Sequence, residues 1–296
     1  HGNVLETVTW AAGLAAHSRN IQVFATVHTA FNHPIVVAKQ LATLDQLSNG
    51  RIGLNVVAGW NKPEYDAFGM DLPSDHSDRY AMAQEWFDYV TRLWREDSAF
   101  DWEGAFFNGK GVYGLPHPVQ ARVPVINAAA SEEGRGFAMR NADFLFTPVF
   151  DFGQAKETVA DIKQKSQSVG RDVQVLTFCT VVCRPTQKEA EEYLNWYANE
   201  HADWEAVDNL MTLQGMHAQS FTKESLAMFR DRFAAGHGGF PLVGTPDHIA
   251  DQLKKLSDTG VAGTTLSFVD YAKEFPYFRQ EVLPRLEARG LRLPVE

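Results

Sequence analysis

The chain has 296 residues, of which 45% are hydrophobic and 22% are charged. This is the balance of a soluble globular protein, and the length allows one large domain or two ordinary ones with a substantial core. The formal net charge of −10 argues against duplex nucleic acid or an anionic membrane as a partner. No apolar run reaches the roughly 18 residues that a membrane-spanning helix needs.

Two features bear on the cellular compartment. The opening residues, HGNVLETVTW, contain no methionine and no basic segment followed by an apolar one, so they are typical of a chain entered partway, which leaves an upstream export signal open. The two cysteines, Cys179 and Cys183, lie four residues apart in a predicted strand. They would point the same way at a separation of about 13 Å, which is too far for a disulfide. We therefore expect a reduced, cytoplasmic protein.

Helical and strand patterns alternate from the start of the chain. An opening helical stretch, NVLETVTWAAGLAAHSR, precedes the first apolar run. A second helix begins at Pro34 and stops at Gly50, and a long third helix follows Ser77, a plausible N-cap. From 97 to 122 the pattern breaks into a segment rich in glycine and aromatic residues, which predicts an excursion with a hairpin.

The second half of the chain continues the alternation. Residues 186–240 are mostly helical in pattern, with an aromatic-rich stretch that suits a lid. The last clear helix signal has Thr245 as N-cap, Pro246 in the first helical position and Gly260 after the end. Since no linker, low-complexity tract or short repeat interrupts the chain, we expect a single domain over residues 1–296.

Six short apolar runs predict the strands: 21–27, 51–57, 123–127, 143–147, 173–182 and 262–268. Strands that alternate with helices form a parallel α/β sheet with crossover helices. Two architectures are compatible with six strands, an open doubly wound sheet and the last six strands of an eight-stranded barrel. The opening helix has no strand before it, which favours a barrel that lacks its first two strands in this chain.

Three common site motifs fail in this sequence. The stretch GKGVYG, at 109–114, fits the letters of a dinucleotide loop, but no buried strand precedes it and LPHP follows where a helix should begin. The ten histidines form no H-x-H or H-E-x-x-H motif, and no C-x-x-C pair exists, so we expect no metal site. There is also no G-x-S-x-G nucleophile elbow.

The ends of the predicted strands carry the candidate site residues. In a parallel barrel the reactive groups gather at the carboxyl ends of the strands. The candidates at those ends are Thr26, His28, Asn55, Trp60, Ser131, Phe146 and Thr147. Asn55 is an amide within an otherwise apolar strand, where a lost hydrogen bond costs about 1–3 kcal/mol. Its partner is either a bound heterocycle or a neighbouring backbone group, and the residues alone leave both open.

Two further positions also have two interpretations. Ser131 starts a helix after a run of small residues, so it either caps the helix or helps to hold a phosphate there. Glu132 and Glu133 would repel an anion if they faced it. Arg79 and Tyr80 open the long third helix, where Arg79 either clamps an anion or is a solvated surface residue, the commoner case.

The combination of these pieces resembles a known family. LSNGR followed by NVVAGW, then DRY, AAASEEG and ADFLF, is similar to the bacterial-luciferase-like flavin monooxygenases. Within that family the chain is similar to the two-component enzymes that use reduced flavin and act on pyrimidines, dimethyl sulfone or alkanesulfonates. The resemblance covers essentially the whole chain, is densest from 34 to 147, and implies a (β/α)₈ barrel with FMN across its carboxyl mouth.

The resemblance also implies roles for individual residues. Thr26 and Asn55 match the catalytic pocket where dioxygen meets the reduced flavin. The positions that match flavin contacts are Asn55, Glu64, Arg79, Tyr80 and Ser131. Trp60 matches an aromatic residue beside the substrate cavity, and His28 and Phe146 suit the same pocket. The alkanesulfonate enzymes of the family differ from the GWNKPEY stretch after its glycine. No cluster of basic residues that could bind a sulfonate stands out over 190–240. Both observations disfavour a sulfonate substrate.

The implied reaction is a monooxygenation. FMNH2 from a transient NAD(P)H:flavin reductase would bind, and dioxygen would form a flavin peroxide that oxygenates a small heterocycle or organosulfur compound. Rival readings are a hydride-transfer enzyme with F420 or FMN on the same fold, a flavin-binding barrel without turnover, and a metal hydrolase. The resemblance further implies a homo-oligomer, to whose contacts the apolar opening helix is suited.

Overall fold

The computed structural model describes residues 3–129, 131–214 and 223–294. Two compact units make up the chain. The first comprises His1–Leu145 and Val169–Val173, and the second comprises Phe146–Ser168 and Gln174–Glu296.

The first unit contains three parallel strands and the helices that connect them. Its elements are α1 (Thr7–His17), β1 (Val23–His28), α2 (Pro34–Ser48), β2 (Ile52–Val57), α3 (Lys62–Ala67), α4 (His76–Leu93), β3 (Phe100–Glu103), β4 (Asn108–Val112), β5 (Val125–Ala128) and α5 (Glu132–Asn141). The parallel strands lie in the order β1, β2, β5. The boundary between the two units falls within β6 (Phe144–Phe146).

The helix ends of the first unit follow from local chemistry. Pro34 stands in the first turn of α2, as predicted, and Asn49 ends this helix in the left-handed conformation with φ of 55°. The N-cap of α4 is Asp75, whose carboxylate accepts a hydrogen bond from the amide of Ser77. The prediction that Ser77 is the N-cap was therefore wrong, because the helix begins two residues earlier and Asp75 is in position to satisfy its free amides.

The predicted excursion at 97–122 is present as an antiparallel hairpin of β3 and β4. Glu85 of α4 holds its turn: the carboxylate accepts hydrogen bonds from the amides of Ala105, Phe106 and Phe107 at 2.9–3.0 Å. The single carboxylate of Glu85 thus satisfies three backbone amides that would otherwise need water as a partner. These hydrogen bonds tie the hairpin to α4.

The second unit contains the remaining strands and helices. Its elements are α6 (Phe152–Ser168), β7 (Gln174–Cys183), α7 (Gln187–Asn195), a π-helical turn (Trp196–Glu200), α8 (Trp204–Leu213), α9 (Lys223–Gly236), β8 (Phe240–Gly244), α10 (Pro246–Asp258), β9 (Gly263–Ser267), α11 (Tyr271–Glu281) and α12 (Leu283–Ala288). β7 pairs in parallel with β8 through its carboxyl half and with β9 through its amino half.

The outcome for the second unit is mixed. Helices α7, α8 and α9 and the π-helical turn occupy most of the described part of 186–240, and the segment 215–222 lies outside the described residues. Thr245 caps α10, with Pro246 at its start and Gly260 just after its end, as predicted. The parallel strand β8 was missed, because Pro241 lies within it and glycines flank it on both sides. Proline is tolerated there since β8 pairs with β7 alone among the described strands.

Each of the six predicted strands is present within two residues of its predicted ends. Cys179 and Cys183 are both buried in β7, and they form no disulfide, as predicted. No helix among the described residues is long and apolar enough to cross a membrane.

Candidate functional site

The parallel strands of the first unit have two unlike faces. Ala25, Val27, Leu54, Val56 and Val125 are buried, and helices α1, α2 and α5 contact the strands that carry them. Alternation places the intervening residues on the opposite face. That face carries Phe24, Thr26, His28, Gly53, Asn55, Val57 and Ile126, which are more exposed than their neighbours with the exception of Gly53.

Thr26 and Asn55 lie side by side on this second face. They are register partners in the β1–β2 pair, and the Asn55 side-chain amide donates a hydrogen bond to the Thr26 hydroxyl at 3.2 Å. The Asn55 Oδ1 atom is buried and has no hydrogen-bond partner among the described residues. The sequence left a backbone partner for Asn55 open, whereas the observed partner is the Thr26 side chain, and one amide oxygen stays available.

A glycine next to this pair explains how the layer beneath it is filled. Phe24 and Gly53 are register partners one step before Thr26 and Asn55. A Cβ atom at residue 53 would lie 2.3 Å from the Phe24 ring, so only glycine leaves space for that ring. The Phe24 ring thereby places an apolar group next to the two polar side chains on the same strand face.

Arg79 and Gly59 meet beyond the end of β2. Arg79 is only 8% exposed, so the alternative of a solvated surface residue was wrong. Its Nη1 donates to the Gly59 carbonyl at 2.9 Å, and its Nε donates to the Asp75 carbonyl at 3.4 Å. Gly59 has a φ of 106°, which disfavours a side chain there. Arg79 therefore fixes the backbone turn from which Trp60 extends.

Tyr80 and Ser131 approach the amino end of α5 from two sides. The Ser131 hydroxyl accepts a hydrogen bond from the Gly134 amide at 3.2 Å, so Ser131 is the N-cap that one interpretation predicted. A Cβ at Gly134 would lie 2.4 Å from the Tyr80 hydroxyl. Burial raises the pKa of Tyr80, which keeps its phenol protonated and able to donate a hydrogen bond.

Four other predicted residues differ in their exposure and surroundings. Trp60 is 46% exposed, and Glu64 is exposed in the first turn of α3. His28 ends β1 on the same face as Thr26. Burial lowers the pKa of His28, and the negative charge of Glu64 partly opposes that shift. Phe146 belongs to the second unit, where its ring stacks on Phe178 at 5.7 Å between centroids.

The sequence analysis did not identify Gly53, Gly134 or Tyr65 as residues of the candidate site. The need for glycine at residues 53 and 134 could not be read from local spacing, because what excludes a side chain at each is a ring distant in sequence. Tyr65, which is 2% exposed, contacts the His28 ring edge-on. The described residues hold no cluster of three or more potential metal ligands.

The chain is similar to several known proteins. The family model described as luciferase-like monooxygenase matches residues 1–263. The pyrimidine monooxygenase RutA of Acinetobacter baylyi is 31% identical over 96% of this chain and 78% of its own. The FMNH(2)-dependent dimethylsulfone monooxygenase of Pseudomonas fluorescens is 30% identical over 96% of this chain and 79% of its own.

A solved structure extends the likeness to three dimensions. A riboflavin lyase, crystallised with modified FMN and riboflavin, superposes with a TM-score of 0.86 at 25% identity, over 98% of this chain and 75% of that one. The chain belongs to the luciferase-like monooxygenase family. This confirms the resemblance to the bacterial-luciferase-like flavin monooxygenases, and with it the α/β barrel-type fold and the assignment as a flavin-dependent monooxygenase.

Proposed function

We propose that the protein uses reduced FMN and dioxygen to transfer one oxygen atom to a small heterocyclic or organosulfur substrate. A separate NAD(P)H:flavin reductase would supply the reduced flavin, and the protein would act as a homo-oligomer. The observation that supports this most is the Thr26–Asn55 pair, whose available amide oxygen matches a ring N–H donor such as a flavin offers. The likeness to the pyrimidine and dimethylsulfone monooxygenases supports the substrate classes.

The pair Thr26 and Asn55 would contact the flavin edge and the dioxygen. When bound, the reduced flavin supplies the electrons that activate dioxygen. Because the Thr26 oxygen accepts the Asn55 amide hydrogen, the Thr26 hydroxyl hydrogen is directed away from Asn55. It can therefore stabilise negative charge that develops on a neighbouring oxygen, as donors in an oxyanion hole do.

The remaining residues would hold the cofactor and the substrate. Arg79 and Tyr80 lie at the start of α4, and Ser131 lies at the start of α5, where backbone amides favour a phosphate. Glu64 would contact the flavin as well. The substrate would lie against His28 and Trp60, whose rings exclude water from the reacting atoms.

Two variants that each remove a polar group test the proposed role of the pair. Thr26→Val keeps the shape and removes the hydroxyl, and Asn55→Ala removes the amide. We expect each to lower substrate oxygenation by roughly 100-fold, the size of losing an oxyanion-hole donor, and to raise the hydrogen peroxide released per flavin oxidised. The rates are measured with a flavin reductase, FMN and NADH over a panel of pyrimidines and sulfones.

Thr29→Val is the matched control, since the buried Thr29 hydroxyl donates a long hydrogen bond to the Val57 carbonyl, at 3.4 Å. It should leave the rate within about twofold, because a long hydrogen bond contributes little. Equal rates for Thr26→Val and the wild type would contradict the proposed function. Reduction of a substrate by F420H2, with no oxygen consumed, would favour the hydride-transfer alternative.

A further inference from the structure

The His28 ring is held in one orientation by its neighbours. The Phe31 ring stacks on it at 4.1 Å between centroids and 24° between planes, and the Tyr65 ring contacts it edge-on at 5.4 Å. Phe31 stacks in turn on Phe68 at 4.4 Å and 10°. A ring clamped in this way presents its two nitrogens in fixed directions.

The hydrogen bond to the first nitrogen determines which tautomer His28 adopts. The backbone amide of Ala30 donates to Nδ1 at 3.2 Å, so Nδ1 must present a lone pair. A neutral imidazole that accepts at Nδ1 carries its hydrogen on Nε2. Burial lowers the pKa of His28 despite the nearby Glu64, which favours this neutral form. Nε2 is therefore a hydrogen-bond donor rather than a base.

The second nitrogen lacks an acceptor. Nε2 is buried without a hydrogen-bond partner among the described residues. Beside it, a Cβ at residue 59 would lie 2.6 Å from Nε2 and 2.4 Å from the Tyr65 hydroxyl, so Gly59 is what allows these polar groups to sit there. Tyr65 directs its own hydroxyl hydrogen to the Ala58 carbonyl at 3.4 Å. A buried donor without an acceptor is a place that a ligand oxygen would satisfy.

The position of His28 relates this donor to the oxygenation site. His28 follows Thr26 by two residues on β1, so both side chains lie on the same face, about 7 Å apart along the strand. A small molecule that receives oxygen near Thr26 would therefore lie on the same strand face as the imidazole ring.

We propose that His28 selects the substrate by donating its Nε2 hydrogen to an oxygen acceptor on the molecule, a carbonyl or a sulfonyl oxygen. This inference rests on the proposed function and narrows it. The substrate class is then one with a strong acceptor close to the oxidised atom, and thioethers and alkanes are disfavoured. His28 positions and selects the substrate, whereas Thr26 and Asn55 act on the reacting oxygen.

The test compares two variants on a matched pair of substrates. His28→Leu removes the donor with little change in volume, and His28→Gln retains an N–H group near the position of Nε2. With dimethyl sulfone we expect His28→Leu to lose roughly 10- to 100-fold in kcat/KM, mostly through KM, and His28→Gln to recover most of the loss. With dimethyl sulfide, the loss in kcat/KM caused by His28→Leu should be roughly tenfold smaller than with dimethyl sulfone. Equal losses on both substrates, or none, would overturn the inference.

A measurement that needs no turnover separates this inference from the proposed function. In protein with nitrogen-labelled histidines, the NMR signals of His28, assigned by their loss in His28→Gln, should report a neutral ring with hydrogen on Nε2. The Nε2 hydrogen should shift downfield with dimethyl sulfone and not with dimethyl sulfide. A shift without oxygenation would reject the proposed function alone. A charged ring, hydrogen on Nδ1, or no response to the sulfone would reject the role of His28.

Discussion

Polar residues on the exposed strand face of the first unit are placed by backbone register and fixed by a few directed contacts. Thr26 and Asn55 pair because they occupy matching positions on parallel strands. Arg79 is held by two backbone carbonyls, so its buried charge has partners and does not depend on solvent. Each residue thus keeps its orientation before any ligand arrives, which reduces the reorganisation that binding requires.

His28 gives the stability of the protein a dependence on pH that can be isolated. Burial lowers its folded pKa, so below the unfolded value of about 6.5 the unfolded chain binds more protons than the folded one. His28 therefore contributes stability that is complete above that value and is lost as the pH falls. Urea unfolding between about pH 7 and pH 5 should show a steeper loss for the wild type than for His28→Gln. Parallel curves would show that His28 is not desolvated in the folded protein.

At the scale of elements, helix α5 allows a specific prediction because its two glycines have different surroundings. A Cβ at Gly134 would lie 2.4 Å from the Tyr80 hydroxyl and 2.7 Å from the Ala129 Cβ, whereas the nearest atom at Gly136 is Arg140 Nη1 at 3.5 Å. Gly134→Ala should lower the free energy of unfolding by about 1–3 kcal/mol through overpacking. It should also weaken FMN binding, measured by flavin fluorescence, because it displaces Tyr80.

The matched variant Gly136→Ala should stabilise α5 by up to about 1 kcal/mol, since alanine is the better helix former and has space. Both values come from urea denaturation at one pH. If the two variants change the free energy of unfolding equally, the contact between Tyr80 and α5 does not constrain the site.

The elements differ in how far the sequence predicts them. The strands were predictable where branched apolar residues predominate, as in β1, β2 and β7. β8 was not, because the stabilisation of a strand that contains Pro241 comes from pairing with β7, a long-range contact that local pattern does not report. The N-cap of α4 was misplaced by two residues because Asp75 and Ser77 are both good caps, and tertiary packing decides where the helix begins.

The residues of the candidate site also differ in how far the sequence predicts them. Thr26 and Asn55 could be singled out because polar side chains in apolar strands have few explanations other than a ligand or a specific partner. The Gly59–Arg79 hydrogen bond and the exclusion of a side chain at Gly134 join residues that are close only after α4 and α5 have packed. No spacing rule connects such residues, so the sequence indicated the individual positions but not the contacts between them.

At the scale of the whole molecule, family membership and composition agree. The family match spans residues 1–263, and the net charge of −10 fits a protein whose ligands are small molecules rather than nucleic acid. Under the proposed function, the chemistry would come from a bound flavin and dioxygen, while this chain would supply binding and orientation. The central claim is therefore that oxygen from dioxygen enters the product and that Thr26 and Asn55 are required for the transfer.

The most direct test is oxygenation with isotopically labelled dioxygen. The purified protein is supplied with FMN, NADH and a flavin reductase, and the products from a panel of pyrimidines and sulfones are analysed by mass spectrometry. We predict a product that contains one labelled oxygen atom, formed by the wild type and Thr29→Val and nearly absent with Thr26→Val and Asn55→Ala. Product oxygen that comes only from water, or equal labelling by all four proteins, would contradict the account.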